Sequence, residues 1–211
     1  HDGKGIHITS YSQVGPVIAD DIKSSSYKAL ILSLLVIFIY ILLRFRKWQY
    51  STCAIIVLVH VTRVELACFS LFHGILPFPM EIDQAFIAAL LTVIGYSMND
   101  TVIVFDRIRD YLSKDSQKSE RELINDAINT TLSRTINTSL VTLLTIIILF
   151  FFGGASIKGF AFALIVGITI GTYSSIFVAT PVIVDFAKSM RIRTKKTKEA
   201  ITNKLSKSKA V

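Results

Sequence analysis

The chain has 211 residues, of which 52% are hydrophobic, and its formal net charge is +8. Its mean hydropathy is +0.56, and this apolar share exceeds that of ordinary soluble domains. The basic residues cluster outside long apolar blocks. The charge therefore indicates orientation in a membrane rather than binding to nucleic acid.

Enzyme and metal chemistry have little support in the sequence. The two cysteines, Cys53 and Cys68, fall in one apolar block, too far apart along a helix to form a disulfide and without metal-ligand spacing. The sequence contains no nucleophile elbow, phosphate loop or metal-binding cluster. We therefore expect no enzymatic activity, no catalytic residue, no metal site and no cofactor.

The first 23 residues predict the end of a soluble domain followed by a segment that leads into the membrane. Ile6, Ile8 and Tyr11 alternate weakly, which is typical of a short strand, and residues 17–26 predict a helix along the membrane surface. Since the chain begins HDGKG without Met, we expect it to be part of a longer protein.

Residues 24–43 predict the first membrane span, because they approach the roughly 20 apolar residues that a helix needs to cross a bilayer. Basic residues follow at once, which predicts a cytoplasmic turn. They are Arg44, Arg46 and Lys47.

The second predicted span, residues 52–72, contains His60, Arg63 and Glu65. On a helix His60 neighbours Arg63, whereas Glu65 points elsewhere. We expect Arg63 and Glu65 to be paired separately within the bundle. For His60, a proton carrier and a packed, hydrogen-bonded histidine both remain open. The proline-rich residues 73–83 lack Lys and Arg, which predicts an external loop.

The third predicted span, residues 84–105, carries Asn99 and Asp100 inside its apolar run. A carboxylate there costs about 3 kcal/mol on insertion scales, and such residues face a bundle interior or a water pathway. We prefer a functional role for Asp100 over that of a neutral packing residue.

Residues 119–131 and 132–152 predict a short surface helix and then the fourth span. Ser119 and Glu122 have capping-box spacing, which predicts an amphipathic helix over residues 120–131. A threonine stripe follows at helical spacing, either bonding across helices or lining a wet path. Its members are Thr131, Thr135, Thr138, Thr142 and Thr145.

The fifth predicted span, residues 159–186, carries a small residue at every fourth position, which predicts close helix packing. The ridge comprises Gly159, Ala163, Gly167, Gly171, Ser175 and Ala179. Pro181 is expected to kink the end of the span. Residues 188–211 hold nine Lys or Arg and one acid, which predicts a disordered basic tail near anionic lipid or a ribosomal or translocase surface.

These elements predict an all-α membrane protein with five spans, its N-terminal end outside and its C-terminal end in the cytoplasm, because the basic connections then all lie inside. Asp100 and Arg134 fall on consecutive antiparallel spans and are expected to meet at similar depth. A carboxylate beside a guanidinium stays ionised and takes a proton when the arginine moves away. Such a pair would couple proton passage to a conformational change, driven by about 2.3 kcal/mol per charge per 100 mV.

Three long motifs closely resemble the SecF family of the bacterial SecDF protein-export complex, which belongs to the RND superfamily. The motifs are GYSMNDTVIVFDRIRD at residues 95–110, TLSRTINTSLVTLL at 131–144 and GFAFALIVGITIGTYSSIFVATP at 159–181. The resemblance implies five helices of a six-helix RND half, preceded by a remnant of a periplasmic α+β domain. It leaves open whether a SecD part is separate or fused upstream.

The resemblance also implies a function. Members of the family work with SecD and the SecYEG translocase in the inner membrane, where proton flow helps to pull presecretory proteins across. We therefore expect these partners and the lipid bilayer, no nucleic acid, and protons as the coupling ion. A non-conducting scaffold and an RND-type exporter half are the alternatives.

Individual residues carry over where the motifs match. Asp100 and Arg134 correspond to the proton relay of the family, and the surrounding polar residues Asn99, Asp106, Arg107 and Thr138 are expected to support it. One departure concerns the second span, where the family usually has His-Asp and this chain has His60-Val61.

Overall fold

A computed structural model describes residues 16–78, 80–113 and 118–186 of the chain. The helices are α1 (Pro16–Phe45), α2 (Trp48–Phe72), α3 (Gln84–Ser113), α4 (Glu120–Phe152) and α5 (Ala155–Phe177). All five are long and apolar enough to cross a membrane. This confirms the predicted all-α membrane fold. The expected remnant domain at the N-terminus and the basic tail from residue 188 lie outside the described residues.

Two predicted boundaries inside the helices are wrong. Residues 17–26 belong to α1, and the surface helix predicted over residues 120–131 is continuous with the fourth span in α4. No Gly or Pro interrupts either stretch, so neither helix has a residue that would end it. The capping box at the start of α4 is present: the Glu122 amide donates to Ser119 Oγ at 3.3 Å, and the Ser119 amide donates to Glu122 Oε2 at 2.9 Å.

A two-residue turn joins α1 to α2. Arg46 adopts a left-handed backbone with φ of 54°, and its amide donates to the Leu42 carbonyl at 2.8 Å. The ring of Phe45 stacks on that of Tyr50 with centroids 4.9 Å apart. The two helices therefore run antiparallel from the same end of the bundle. We call this end, which also carries the α3–α4 connection, the basic end.

The core lies around α3, which packs against α2, α4 and α5. Ring contacts fix the register of α2 and α3: Phe69 meets Phe86 at 4.3 Å near the opposite end, and Tyr50 meets Phe105 at 5.5 Å near the basic end. Large apolar side chains remain exposed along α1 and α4. Such a surface suits lipid or a partner helix rather than water.

The helices α3 and α5 approach each other closely at two glycines. A β-carbon added to Gly167 would lie 2.3 Å from Val93 Cγ2, and one added to Gly171 would lie 3.0 Å from Ser97 Cβ. Val93 and Ser97 are themselves fully buried. The two glycines of α5 thus allow α3 to pack closer to the α5 backbone than larger side chains would permit.

The helical path of α5 is interrupted at Val178, and residues 179–186 continue as a further helical segment. Pro181 has no amide proton to donate to the carbonyl four residues earlier. The Thr180 hydroxyl donates to the Ile176 carbonyl close to this break. The irregularity lies where the sequence predicted a kink.

We expect Gly167→Ala to lower the melting temperature of the detergent-solubilised protein. The new methyl group would overlap the buried Val93, and overpacking of this kind costs about 1–3 kcal/mol. Gly95→Ala is the matched control, because Gly95 also lies within a helix and nothing lies within 4 Å of its added β-carbon. Equal melting temperatures for the two variants would contradict the packing argument.

Candidate functional site

The candidate site is built around Asp100, which lies in the middle of α3 and is only 1% exposed. The residue is flanked in sequence by Thr101, also buried, whose hydroxyl donates to the Ser97 carbonyl of its own helix at 2.9 Å. Asp100 Oδ2 accepts a hydrogen bond from Ser139 Oγ of α4 at 3.4 Å. This long bond is weak for a carboxylate.

A third helix completes the site through Thr172 of α5. Its Oγ1 lies 2.7 Å from Ser139 Oγ and 2.8 Å from the Ile168 carbonyl, so two acceptors compete for its proton. The side chains of Asp100, Ser139 and Thr172 thus form a hydrogen-bonded series that joins α3, α4 and α5. A change in the charge of the carboxyl group would therefore be felt directly by two neighbouring helices.

Arg134 lies on α4 five residues from Ser139, about 7.5 Å nearer the basic end by the helical rise. Its side chain is exposed, and within the described part of the chain no ion pair joins it to Asp100. Instead it lines an open cavity of about 680 Å³ between α3 and α4. The other lining residues are Ile103, Asp106, Arg107, Arg109, Asp110, Ser113, Thr130 and Thr131.

Two of the expected supporting residues brace helices. Asp106 Oδ1 lies 3.3 Å from Arg44 of α1 and 2.9 Å from Arg109 of its own helix, and both guanidinium groups stack on the Phe45 ring. Arg107 donates to Thr130 Oγ1 of α4 at 3.1 Å. These contacts fix α3 to its neighbours at the basic end, one to two turns from Asp100.

The other two supporting residues, Asn99 and Thr138, have exposed side chains. Thr138 Oγ1 donates to the Arg134 carbonyl at 2.9 Å, and Thr142 and Thr145 likewise bond carbonyls of α4 itself. From this stripe Thr142 also accepts a bond from the Tyr96 hydroxyl of α3 at 3.2 Å. Most of these hydroxyls therefore satisfy their own helix rather than another.

The titratable residues of α2 are separated. His60 Nδ1 lies 3.1 Å from Ser174 Oγ of α5, and Arg63 is exposed. Glu65 is fully buried, and neither of its oxygens has a hydrogen-bond partner in the described structure. We expected Arg63 and Glu65 each to have a partner of its own within the bundle. This expectation is wrong, because Arg63 is exposed and Glu65 is enclosed without a hydrogen-bond partner among the described residues.

Sequence reasoning did not assign roles to Ser139, Thr172 or Ser174. A serine or threonine in a span usually bonds its own backbone, so its type and spacing do not reveal a contact between helices. The described residues also contain no group of three or more metal-ligating side chains.

Comparisons with known proteins place this chain in a family. The family described as "Protein export membrane protein SecD/SecF, C-terminal" matches residues 1–189. The chain is 56% identical over 172 residues to the protein translocase subunit SecF of Rhodothermus marinus, covering 82% of this chain and 56% of that protein. It is 42% identical over 178 residues to the protein translocase subunit SecDF of Brucella abortus, covering 84% of this chain and 23% of that protein.

A solved structure gives the same result. The fold is similar to the crystal structure of SecDF in its super-membrane-facing form, with a TM-score of 0.67 and 36% identity, over 88% of this chain and 24% of that one. The chain thus spans little more than half the length of the SecF proteins it matches. Sequence, helix arrangement and fold together show that the chain belongs to the SecD/SecF family of protein export membrane proteins.

Proposed function

We propose that this chain is the membrane part of a SecF-type translocase subunit, which uses the proton motive force to assist the movement of secreted proteins across the inner membrane. SecD, separate or fused, and the SecYEG channel would be its partners. The observation that carries the proposal is the burial of Asp100, with a single weak hydrogen bond, at the meeting point of three membrane helices. Burial of an ionisable group in a membrane is energetically unfavourable, and such groups usually have a function.

The proposed cycle uses the chain's own residues. Asp100 takes up a proton from the outer side and releases it towards the cavity that Arg134 lines at the basic end. When the carboxyl group is ionised, the hydrogen bond from Ser139 stabilises it; when it is neutral, that bond weakens. Since Ser139 also contacts Thr172, each proton taken up changes how α4 and α5 hold α3.

Orientation follows from the same proposal. The basic end would lie in the cytoplasm, since Arg44, Arg46 and Lys47 and the α3–α4 connection all lie there. A scaffold without proton coupling is the second candidate. The tight contact at Gly167 and Gly171 suits such a role, but it does not account for a buried, weakly bonded carboxyl group.

We expect Asp100→Asn to abolish export driven by a proton gradient. The amide retains the size of the side chain and can accept from Ser139, but it cannot carry a proton. The measurement is translocation of a presecretory protein into vesicles that contain SecYEG, SecD and the variant, with and without an imposed gradient. Asp100→Glu, which remains titratable, is expected to retain part of the activity.

As a control, the amount of the Asp100→Asn variant in the membrane and its assembly with SecD should equal those of the unmodified protein. Because burial of a charge is unfavourable, Asn at this position is expected to leave stability unchanged or to raise it. Gradient-dependent export by Asp100→Asn at the parental rate would refute the relay and favour the scaffold.

We expect Ser139→Ala to slow gradient-dependent export without abolishing it. The substitution removes the hydrogen bond to Asp100. Because this bond is long, we expect it to contribute less than the roughly 1.5–3 kcal/mol typical of hydrogen bonds to charged groups. Ser139→Thr, which keeps the hydroxyl, should restore most of the rate. Ser133→Ala is the matched control on the exposed face of α4, and an equal loss in this variant would contradict a specific role for Ser139.

A further inference from the structure

Glu65 is a second buried carboxyl group that the relay just described does not use. It is fully enclosed within the bundle, and both of its oxygens lack a hydrogen-bond partner among the described residues. A carboxylate in such a place loses its hydration and gains nothing in return. The neutral acid is the form that this environment tolerates.

Among the described side chains of the neighbouring helices, none forms an ion pair with Glu65. Lys28 of α1 lies near the level of Glu65. The contact of Phe45 with Tyr50 sets this register, because Leu30 is fifteen residues from Phe45 and Glu65 is fifteen residues from Tyr50. The Lys28 side chain is exposed, however, and does not pair with Glu65 in the described structure. At this level α3 and α5 carry no charged residue, because none lies between Gln84 and Asp100 or between Lys158 and Asp185. On α2 itself, His60 is bonded to Ser174 and Arg63 points outward.

The register places Glu65 on the far side of Asp100 from the basic end. Glu65 precedes Phe69 by four residues, and Leu90 follows Phe86 by four, so the contact between the two rings sets Glu65 level with Leu90. Asp100 is ten residues further along α3, or about 15 Å nearer the basic end.

Two further hydroxyls occupy the levels between the two carboxyl groups. Thr62 is level with Val93 and Ser97 lies one turn beyond it; both are buried, and neither hydroxyl has a partner in the described structure. Successive levels from Glu65 to Thr62, Ser97 and Asp100 differ by about 4.5–6 Å along the axis. One water bridging two groups through hydrogen bonds of about 2.8 Å reaches at most about 5.6 Å, so each shorter interval takes one water and the longer interval, between Thr62 and Ser97, takes two.

We propose that Glu65 is a second proton-binding group of this chain and that Thr62 and Ser97 mark a water path from it to Asp100. The inference rests on the proposed function, to which it adds the outer half of the proton route. A neutral acid at Glu65 passes its proton inward along the bridging waters and is reloaded from the opposite end of the bundle. Unpartnered hydroxyls suit this path, since each is able to donate to one water and accept from another.

The test compares Glu65→Gln, Glu65→Asp, Lys28→Gln and Asp100→Asn in the reconstituted complex with SecD and SecYEG. We expect Glu65→Gln to lower gradient-dependent export at least fivefold at unchanged melting temperature, Glu65→Asp to recover part of it, and Lys28→Gln to leave it unchanged. If Asp100→Asn abolishes export while Glu65→Gln exports at the parental rate, the inference fails and the proposed function stands. If neither variant is impaired, both fail.

An ion-pair role for Glu65 has its own signature. In that case Lys28→Gln would reproduce the loss, and the double variant Lys28→Gln/Glu65→Gln would regain export, which would overturn the proposal.

A second measurement applies even if Glu65→Gln unfolds. N,N′-dicyclohexylcarbodiimide adds to a neutral carboxylic acid in an apolar site, and mass spectrometry of the peptide that contains Glu65 reports the adduct. We expect labelling of the unmodified complex near pH 6 that decreases as the pH is raised. Absence of the adduct at pH 6, in a sample whose Asp100 peptide is labelled, overturns the proposal.

Discussion

The close contact of α3 with α5 is the constraint on which the site depends. Apolar helices in a bilayer gain little from hydrophobic burial against one another, so van der Waals packing and hydrogen bonds hold them together. Gly167 and Gly171 have no side chain. The fully buried Val93 and Ser97 of α3 therefore pack directly against the backbone of α5. One turn further, the same face of α3 carries Asp100 into the interior of the bundle, where it is only 1% exposed.

Two aspartates on α3 illustrate how packing assigns different roles to one residue type. Asp106 lies between Arg44 and Arg109 at the basic end, and its charge is matched by two cations. Asp100, six residues away, has one hydroxyl at 3.4 Å. A carboxylate held by two guanidinium groups is stable as an anion and fixes helices to each other, whereas a buried carboxylate with few partners lacks this compensation for its charge.

Much of the architecture could be predicted from the sequence. The apolar length of the segments predicted five membrane-capable helices, and the spacing of small residues on α5 predicted a close contact. The boundaries within α1 and α4 were missed because polar segments resembled separate helices although no residue ended them. The bonds of Ser139 with Asp100 and Thr172 depend on the rotation of three helices, which no pattern within one helix encodes. Helix rotation also decides whether Glu65 has a partner, so the sequence alone could not show that this glutamate is unpaired in the described structure.

The unbroken course of α4 has a mechanical consequence. Its 33 residues make a rod of about 50 Å, against a hydrocarbon thickness of about 30 Å, so some 20 Å of it extends past the apolar layer. Ser139 lies nineteen residues from Glu120, which sets a lever arm of about 28 Å. A tilt of about 10° at the level of Ser139 would carry the capped end through about 5 Å. The hydrogen bond of Arg107 to Thr130 would draw the end of α3 along. A small change of tilt beside Asp100 would thereby become a displacement of several ångströms at the capped end of α4.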